Sequence, residues 1–277
     1  MGITGIEFKN VSKHYPSAGG PVTALQEINL QVSPGDFVGL MGMNGSGKST
    51  LVRLINGLIK PTSGQVYVNG MNTTEPLMLQ QIRRLIGMVF QNPDNQMICP
   101  IIEEEIAFGL ENLDLSLSEV NSRVEWALKF AGLEKMRFHA PHLLSGGQKQ
   151  KVALVSVLAM QPDYLVLDEP ASMLDPHSRI ELMEQLAVLN RENGMTIILS
   201  SHDPEDLLHA TRLVVLDQGK IYLQGTPREV YAKTDKLAAI GLEPPGLYQL
   251  IMQLEKAGLP VDSEINTITE LVEEICR

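Results

Sequence analysis

Apolar and polar positions alternate from the start of the chain. Ile6 and Phe8, then Ile28, Leu30 and Val32, sit at every second place among polar neighbours, so residues 3–33 read as β-rich. Pro16 to Pro21, with Gly19 and Gly20, is the loop between them. A short apolar segment, Phe37 to Met41, reads as a buried strand, and Leu51, Val52, Leu54, Ile55 and Leu58 then follow at helical spacing. Pro61-Thr62-Ser63-Gly64 is a turn, Gln65 to Asn69 a short alternating strand, and Gly87 to Phe90 another strand.

The pattern changes over residues 100–160, which read as helical. Ser116 and Glu119 fit a capping box, Val120, Val124, Leu128 and Ala131 follow at helical spacing, and Gly132 is a stop. Trp126, the only tryptophan, reads as a packing residue of that helix. Strand and helix then alternate: Tyr164 to Leu167, 176–192, Thr196 to Leu199, 203–210, Leu213 to Leu216. Asp175-Pro176 is an N-cap and N1 pair, and Gly194 a stop. This alternation predicts an α/β fold: a parallel sheet with helices on both faces. Thr226-Pro227-Arg228-Glu229 opens another capped helix. Residues 235–277 lose the strand signal and read as short helices around Pro244-Pro245-Gly246 and Pro260, a small C-terminal appendage.

Chemistry enters at Gly42-Met43-Asn44-Gly45-Ser46-Gly47-Lys48-Ser49-Thr50, a phosphate-loop pattern G-x-x-x-x-G-K-[ST] between a strand and a helix. Glycines there let backbone N–H groups turn inward around an anion, and the helix N-terminus adds its positive end. Lys48 is expected to reach the β- and γ-phosphates, and Ser49 to hold Mg²⁺. Tyr164-Leu165-Val166-Leu167 ends in Asp168 and Glu169, at the C-terminal end of a strand, where open α/β sheets bind ligands. Asp168 is placed for Mg²⁺ and Glu169 to orient or deprotonate the attacking water. Leu144-Ser145-Gly146-Gly147-Gln148 precedes a second helix whose start suits an anion, on a nucleotide that another chain would hold.

In this order, the phosphate loop, Gln91, Leu-Ser-Gly-Gly-Gln, Leu165 to Glu169, Asp175 and His202 resemble an ATP-binding-cassette (ABC) ATPase over roughly residues 3–232. The resemblance implies a P-loop NTPase cassette with a parallel-sheet core, an N-terminal antiparallel β subdomain and an inserted α-helical subdomain at about 100–160. The cassette would span 1–233 and a helical extension for dimerisation 234–277.

It also implies roles. Tyr15 would stack on adenine. Gly42, Gly45, Gly47, Lys48, Ser49 and Thr50 would bind the phosphates of ATP. Gln91 would sense Mg²⁺ and water and link to a transmembrane partner. Glu169 would be the base and His202 the switch at the γ-phosphate. Ser145, Gly146, Gly147 and Gln148 would meet the nucleotide of an opposing subunit, with Asp175 crossing the interface, so hydrolysis needs a head-to-tail dimer. Met43 and Ala171 depart from common family residues, and neither departure removes a catalytic group.

Met88 to Gln96 and Ile102 to Asn112 resemble the energy-coupling-factor branch, and the C-terminal extension agrees with it. That resemblance implies a second ATPase subunit (identical or not), a transmembrane coupling protein and a membrane subunit that binds a vitamin or transition-metal ion. Ser172-Met173-Leu174-Asp175 resembles one of two ATPase types that pair as heterodimers. Glu103-Glu104-Glu105 is expected to supply carboxylates to arginines of the coupling protein. The alternatives are an ATPase of another ABC branch, a soluble non-transport ABC ATPase, or a module that binds ATP without turnover. The intact Glu169 and His202 argue against the last, and the short spacing from Lys48 to Ser145 against the DNA-repair type.

Bulk properties narrow the setting. With 33 acidic against 22 basic residues, a net charge of −11, the chain lacks the excess of cations that a broad nucleic-acid surface needs. Cys99 and Cys276 lie far apart and fit a reduced, cytosolic compartment. Met1 to Glu7 resembles no secretory signal, and no apolar run approaches membrane length. The chain is expected at the cytoplasmic face of the membrane, held there by a partner.

Overall fold

A computed structural model describes residues 5–259, 261, 265 and 268–275. Readings that fall on residues 1–4, Pro260 and Cys276 lie outside the described residues. In chain order the elements are β1 (Ile6–Tyr15), β2 (Val22–Val32), β3 (Phe37–Met41), α1 (Lys48–Ile55), β4 (Ser63–Val68), β5 (Met71–Asn72), α2 (Leu79–Leu85) and β6 (Ile86–Val89). There follow α3 (Ile102–Leu110), α4 (Leu117–Ala131), α5 (Gly146–Leu158), β7 (Tyr164–Asp168), α6 (Pro176–Asn193), β8 (Thr196–Ser201), β9 (Arg212–Asp217) and β10 (Lys220–Gly225). The chain closes with α7 (Pro227–Tyr231), α8 (Thr234–Ala239), α9 (Gly246–Lys256) and α10 (Ile268–Ile275).

The strands form two sheets. One is antiparallel, in the order β2-β1-β4-β5; the other runs β10-β9-β3-β8-β7-β6. In the second, β9, β3, β8, β7 and β6 are parallel, and β10 joins β9 antiparallel at the edge. Its parallel strands are apolar on both faces because each face packs a different core. Phe37, Met41, Leu165, Leu167, Ile197, Leu199, Leu213 and Val215 face the core shared with α5 and α6. The alternate residues Val38, Leu40, Val166, Ile198, Val214 and Leu216 face α1 and the antiparallel sheet. The two-residue period therefore sorts one sheet between two cores.

Helices α3, α4 and α5 make a third core from Ile102, Ile106, Leu110, Val124, Leu128 and Val152. Helix α5 joins that layer to the sheet. Val152 and Val155 face the helices, while Leu154, Val157 and Leu158 face the sheet core. The expected caps form. Ser116 and Glu119 close a capping box at α4, and Gly132 ends it in the left-handed region at φ 67°. Asp175 caps α6, and Thr226 with Glu229 caps α7.

Three local expectations change. Residues 203–210 give no α-helix, only a 3₁₀ turn at Pro204–Leu207. Trp126 is 44% exposed and leans on Phe130 at 5.2 Å, so it covers the outside of α4 and does not fill the core. Strand β10, in which only Leu223 is buried, adds an element to the expected set.

Gly87 marks a close approach. A Cβ there would meet Val157 Cγ1 at 2.3 Å and Pro162 Cγ at 2.9 Å, so β6 can lie against α5 only without a side chain. Gly87→Ala is expected to destabilise the fold by about 1–3 kcal/mol, the usual cost of overpacking. A lowered urea midpoint at unchanged slope checks it; an unchanged midpoint would mean that α5 gives way freely.

Candidate functional site

The loop from Gly42 to Thr50 joins the end of β3 to α1. Gly47 stands at φ 110° beside the Ala24 carbonyl, 2.6 Å from where a Cβ would lie, so only glycine fits this turn. Asn44 and Gly45 are exposed, Thr50 is half-buried, and the Ser46 hydroxyl is buried without a hydrogen-bond partner. Lys48 opens α1 and is only 4% exposed. Its ammonium donates to the carbonyls of Gly42 at 2.7 Å and Met43 at 3.3 Å, and pairs with Glu169 Oε1 at 3.3 Å.

The carboxylates come from the end of β7. Asp168 Oδ1 accepts from Ser49 Oγ and from Ser200 Oγ, each at 2.9 Å. Its Oδ2 is buried with no hydrogen-bond partner, and Arg53 stands 3.8 Å away. Glu169 follows in the left-handed region at φ 48°, its N–H shared between the Ser200 carbonyl and hydroxyl, both at 3.1 Å. Its Oε2 accepts from Gln91 Nε2 at 3.2 Å and lies 3.1 Å from His202 Nδ1. Lys48, Gln91 and His202 thus converge on one buried carboxylate from three separate elements. His202 is half exposed, and so links that carboxylate to the open side of the site.

This donor set suits a divalent cation. Asp168 Oδ2 is a buried carboxylate oxygen that accepts no hydrogen bond, and the Ser49 hydroxyl lies beside the same carboxylate. Among the described residues, no group of His, Cys, Asp and Glu could hold a metal alone. Magnesium fits such a place, because it keeps waters and takes phosphate oxygens along with one or two protein ligands.

The remaining predicted residues stand apart from this cluster. Tyr15 ends β1, 36% exposed, with the Lys13 ammonium 5.1 Å from its ring. Ser145 and Gly146 are exposed and Gly147 and Gln148 half-buried at the start of α5. There Ser145 and Gln148 bond each other, side chain to backbone, at 3.0 and 3.3 Å. Asp175 is exposed; hydrogen bonds from Ser178 and His177 hold its carboxyl below the usual range. Among the described residues, no hydrogen bond or ion pair joins these groups to Lys48 or Glu169.

The acidic run divides three ways. Glu105 is buried and accepts from the N–H groups of Ile98 and Cys99, both at 2.8 Å, so it holds the loop before α3. Glu103 pairs with Arg137 at 2.5 Å, which holds its carboxyl below the usual range. Glu104 alone of the run is exposed. Contrary to the expectation for the whole run, Glu105 is thus turned inward and closed to a partner's arginines. Ser200 was missed in the sequence. A serine pair, Ser200-Ser201, closing an apolar strand was the available signal, since both are buried and hydroxyls in such places need partners.

The ABC transporter family profile matches residues 25–172. An energy-coupling factor transporter ATP-binding protein EcfA1 from Caldanaerobacter subterraneus is 47% identical over 98% of this chain and 99% of its own. An EcfA protein from Methanosarcina acetivorans is 45% identical over 98% of each chain. Among solved structures, the dimeric cassette MJ0796 bound to ADP and Pi superposes with a TM-score of 0.75, 34% identity and coverage of 80% of this chain and 98% of that one. The cbiO1 protein of Clostridium perfringens, described as part of the complex cbiONQ, gives 0.73 and 34% over 89% and 98%. The chain belongs to the ABC transporter family, in the energy-coupling factor branch of its ATP-hydrolysing subunits.

Proposed function

We propose that this chain hydrolyses ATP between two head-to-tail cassettes and so drives uptake through a membrane-embedded partner. The observation that carries the reading is the convergence of Lys48, Gln91 and His202 on Glu169 beside the phosphate loop. The loop amides and Lys48 bind the phosphates, and Tyr15 stacks on the adenine. Ser49, Asp168 and Gln91 would hold Mg²⁺, which when bound supplies positive charge beside the phosphate oxygens. Glu169 takes the proton of the attacking water, and Gln91 and His202 fix the direction of its carboxylate. The outward-facing Ser145, Gly146, Gly147, Gln148 and Asp175 serve the nucleotide of the opposing chain, which accounts for their separation from Lys48.

Residues 1–233 form the ATPase unit, and 234–277 an extension that supports pairing. Helix α10 supports this: it buries Leu271 while Ile268, Val272 and Ile275 are 64, 53 and 48% exposed on one apolar stripe. The occupant of that stripe is the extension of the second ATPase. Val272→Asp is expected to weaken pairing about tenfold, the scale of an ordinary interface contact. Sedimentation of the full chain with ATP checks it, and unchanged pairing would place the interface elsewhere.

No helix among the described residues is long and apolar enough to cross a membrane, so transport requires a partner that does. Motion passes near Gln91 to that coupling protein at the cytoplasmic face, with Glu104 offered to its cations. A membrane subunit selects the cargo, a vitamin or a transition-metal ion. Co-purification from native membranes in mild detergent, followed by mass spectrometry, tests the assignment. A multi-spanning protein with a small membrane subunit is the expected company. Recovery of the chain without any membrane protein would leave the ATPase standing and remove the transporter.

A further inference from the structure

His202 follows β8 on a segment without regular structure, yet its aim at Glu169 depends on that segment keeping its place. Four side chains hold it. Asp206, 5% exposed, takes Arg179 Nε on one carboxylate oxygen at 2.5 Å and Ser201 Oγ on the other at 2.6 Å. Ser201 Oγ in turn accepts the Asp203 N–H at 3.0 Å, and the Asp203 carboxylate pairs with the Arg179 guanidinium at 2.5 Å. Of the residues flanking His202, Asp203 is therefore tied to the arginine directly and Ser201 through Asp206. Arg179 belongs to another element: it sits in the first turn of α6, where its N–H donates to the Asp175 carbonyl at 2.9 Å. Glu169, Arg179, His202, Asp203 and Asp206 line one cleft.

We propose that Arg179 is a positioning residue for ATP hydrolysis: by bridging Asp203 and Asp206 it holds His202 on Glu169 and ties that aim to the helix start capped by Asp175. The guanidinium suits the task, because it donates from Nε to Asp206 while its Nη2 end sets charge beside Asp203, a reach in two directions that a compact ammonium lacks. Burial pushes the Asp206 carboxyl up, and Arg179 is the cation that offsets this. A shift of the Asp175 end of α6 on dimer closure would then be felt at His202 through a rigid link of a few bonds. The inference rests on the assignment of His202 to hydrolysis.

The test is a double-mutant cycle on the full chain, read as kcat and KM for phosphate release with ATP and Mg²⁺, with melting curves alongside. Arg179→Ala is expected to lower kcat about tenfold or more, the scale of a displaced reacting group, with KM changed less than about twofold. Arg179→Lys is expected to recover part of the loss. In a His202→Ala background, Arg179→Ala should cost less than about twofold further, because what it positions is already gone. Where Arg179→Ala does not fold, the pair Arg179→Met with Asp206→Asn removes both charges together and carries the same expectation. A folded variant with normal kcat, or a full tenfold loss on top of His202→Ala, overturns the inference alone. Normal turnover in His202→Ala overturns the His202 assignment and the inference with it.

Discussion

Glu169→Gln is expected to lower turnover about 10²-fold or more while ATP still binds, so that the two cassettes stay closed around it. A positioned general base contributes roughly 10²–10⁴ to a rate, and glutamine keeps the shape of glutamate without its basicity. The geometry makes this substitution unusually clean. Gln91 and His202 hold the carboxylate at 3.2 and 3.1 Å, and an amide can occupy the same volume. The charge balance changes, however. Lys48, 4% exposed, loses its ion-pair partner and keeps only carbonyl oxygens. A triphosphate restores an anion beside it. ATP should therefore raise the melting temperature of the variant by more than it raises that of the parent chain. Phosphate release, size-exclusion chromatography with ATP, and melting curves read all three effects. Near-normal release would remove Glu169 from the role of base.

Lys48→Ala is the second large effect, and it acts through binding. Among the described residues the ammonium is the buried cation at the phosphate loop, and its loss takes a positive charge from both the phosphates and Glu169. Losing one fixed donor to developing charge costs about 10²–10³ in rate. A buried carboxylate left unpaired costs about 3–5 kcal/mol of stability. The variant should thus show both weak ATP binding, by calorimetry or a fluorescent analogue, and a lowered melting temperature. Full affinity for ATP would mean that the loop amides alone hold the phosphates. A paired substitution, Lys48→Ala with Glu169→Gln, should recover part of the stability and none of the turnover.

Much of this site was legible because its residues carry local signals. Glycines, an apolar strand ending in two carboxylates, and a histidine closing a strand each mark a position in sequence. The fold then brings Ser49 and Asp168 together across 119 positions. Capping boxes at Ser116, Ser145 and Thr226 were equally readable, since their partners lie three residues away. What escaped depends on partners that no local pattern names. Glu105 reads as part of a solvated acidic run, and its place inside follows only from the Ile98 and Cys99 amides turning back on it. Arg179 reads as an ordinary helix residue until Asp206, 27 positions on, is seen beside it. The same pairing explains why 203–210 forms a short turn where a helix was expected. Asp203 caps Pro204–Leu207, and Asp206 is drawn inward to Arg179. Strand β10 is held by backbone pairing to β9, for which its own sequence gives little apolar sign.

The backbone at Glu169 stands at φ 48°, where a side chain with a Cβ is disfavoured. Such a conformation costs about 1–3 kcal/mol and persists only because its surroundings impose it. Here two bonds from the Glu169 N–H to Ser200 do so. Glycine would relieve the strain, and asparagine much of it. Either replacement would also strip buried Lys48 of its ion-pair partner, a loss of about 3–5 kcal/mol that outweighs the relief. The strained backbone is thus kept by the same ion pair that the chemistry uses, and a library of this chain selected only for heat tolerance should retain the glutamate.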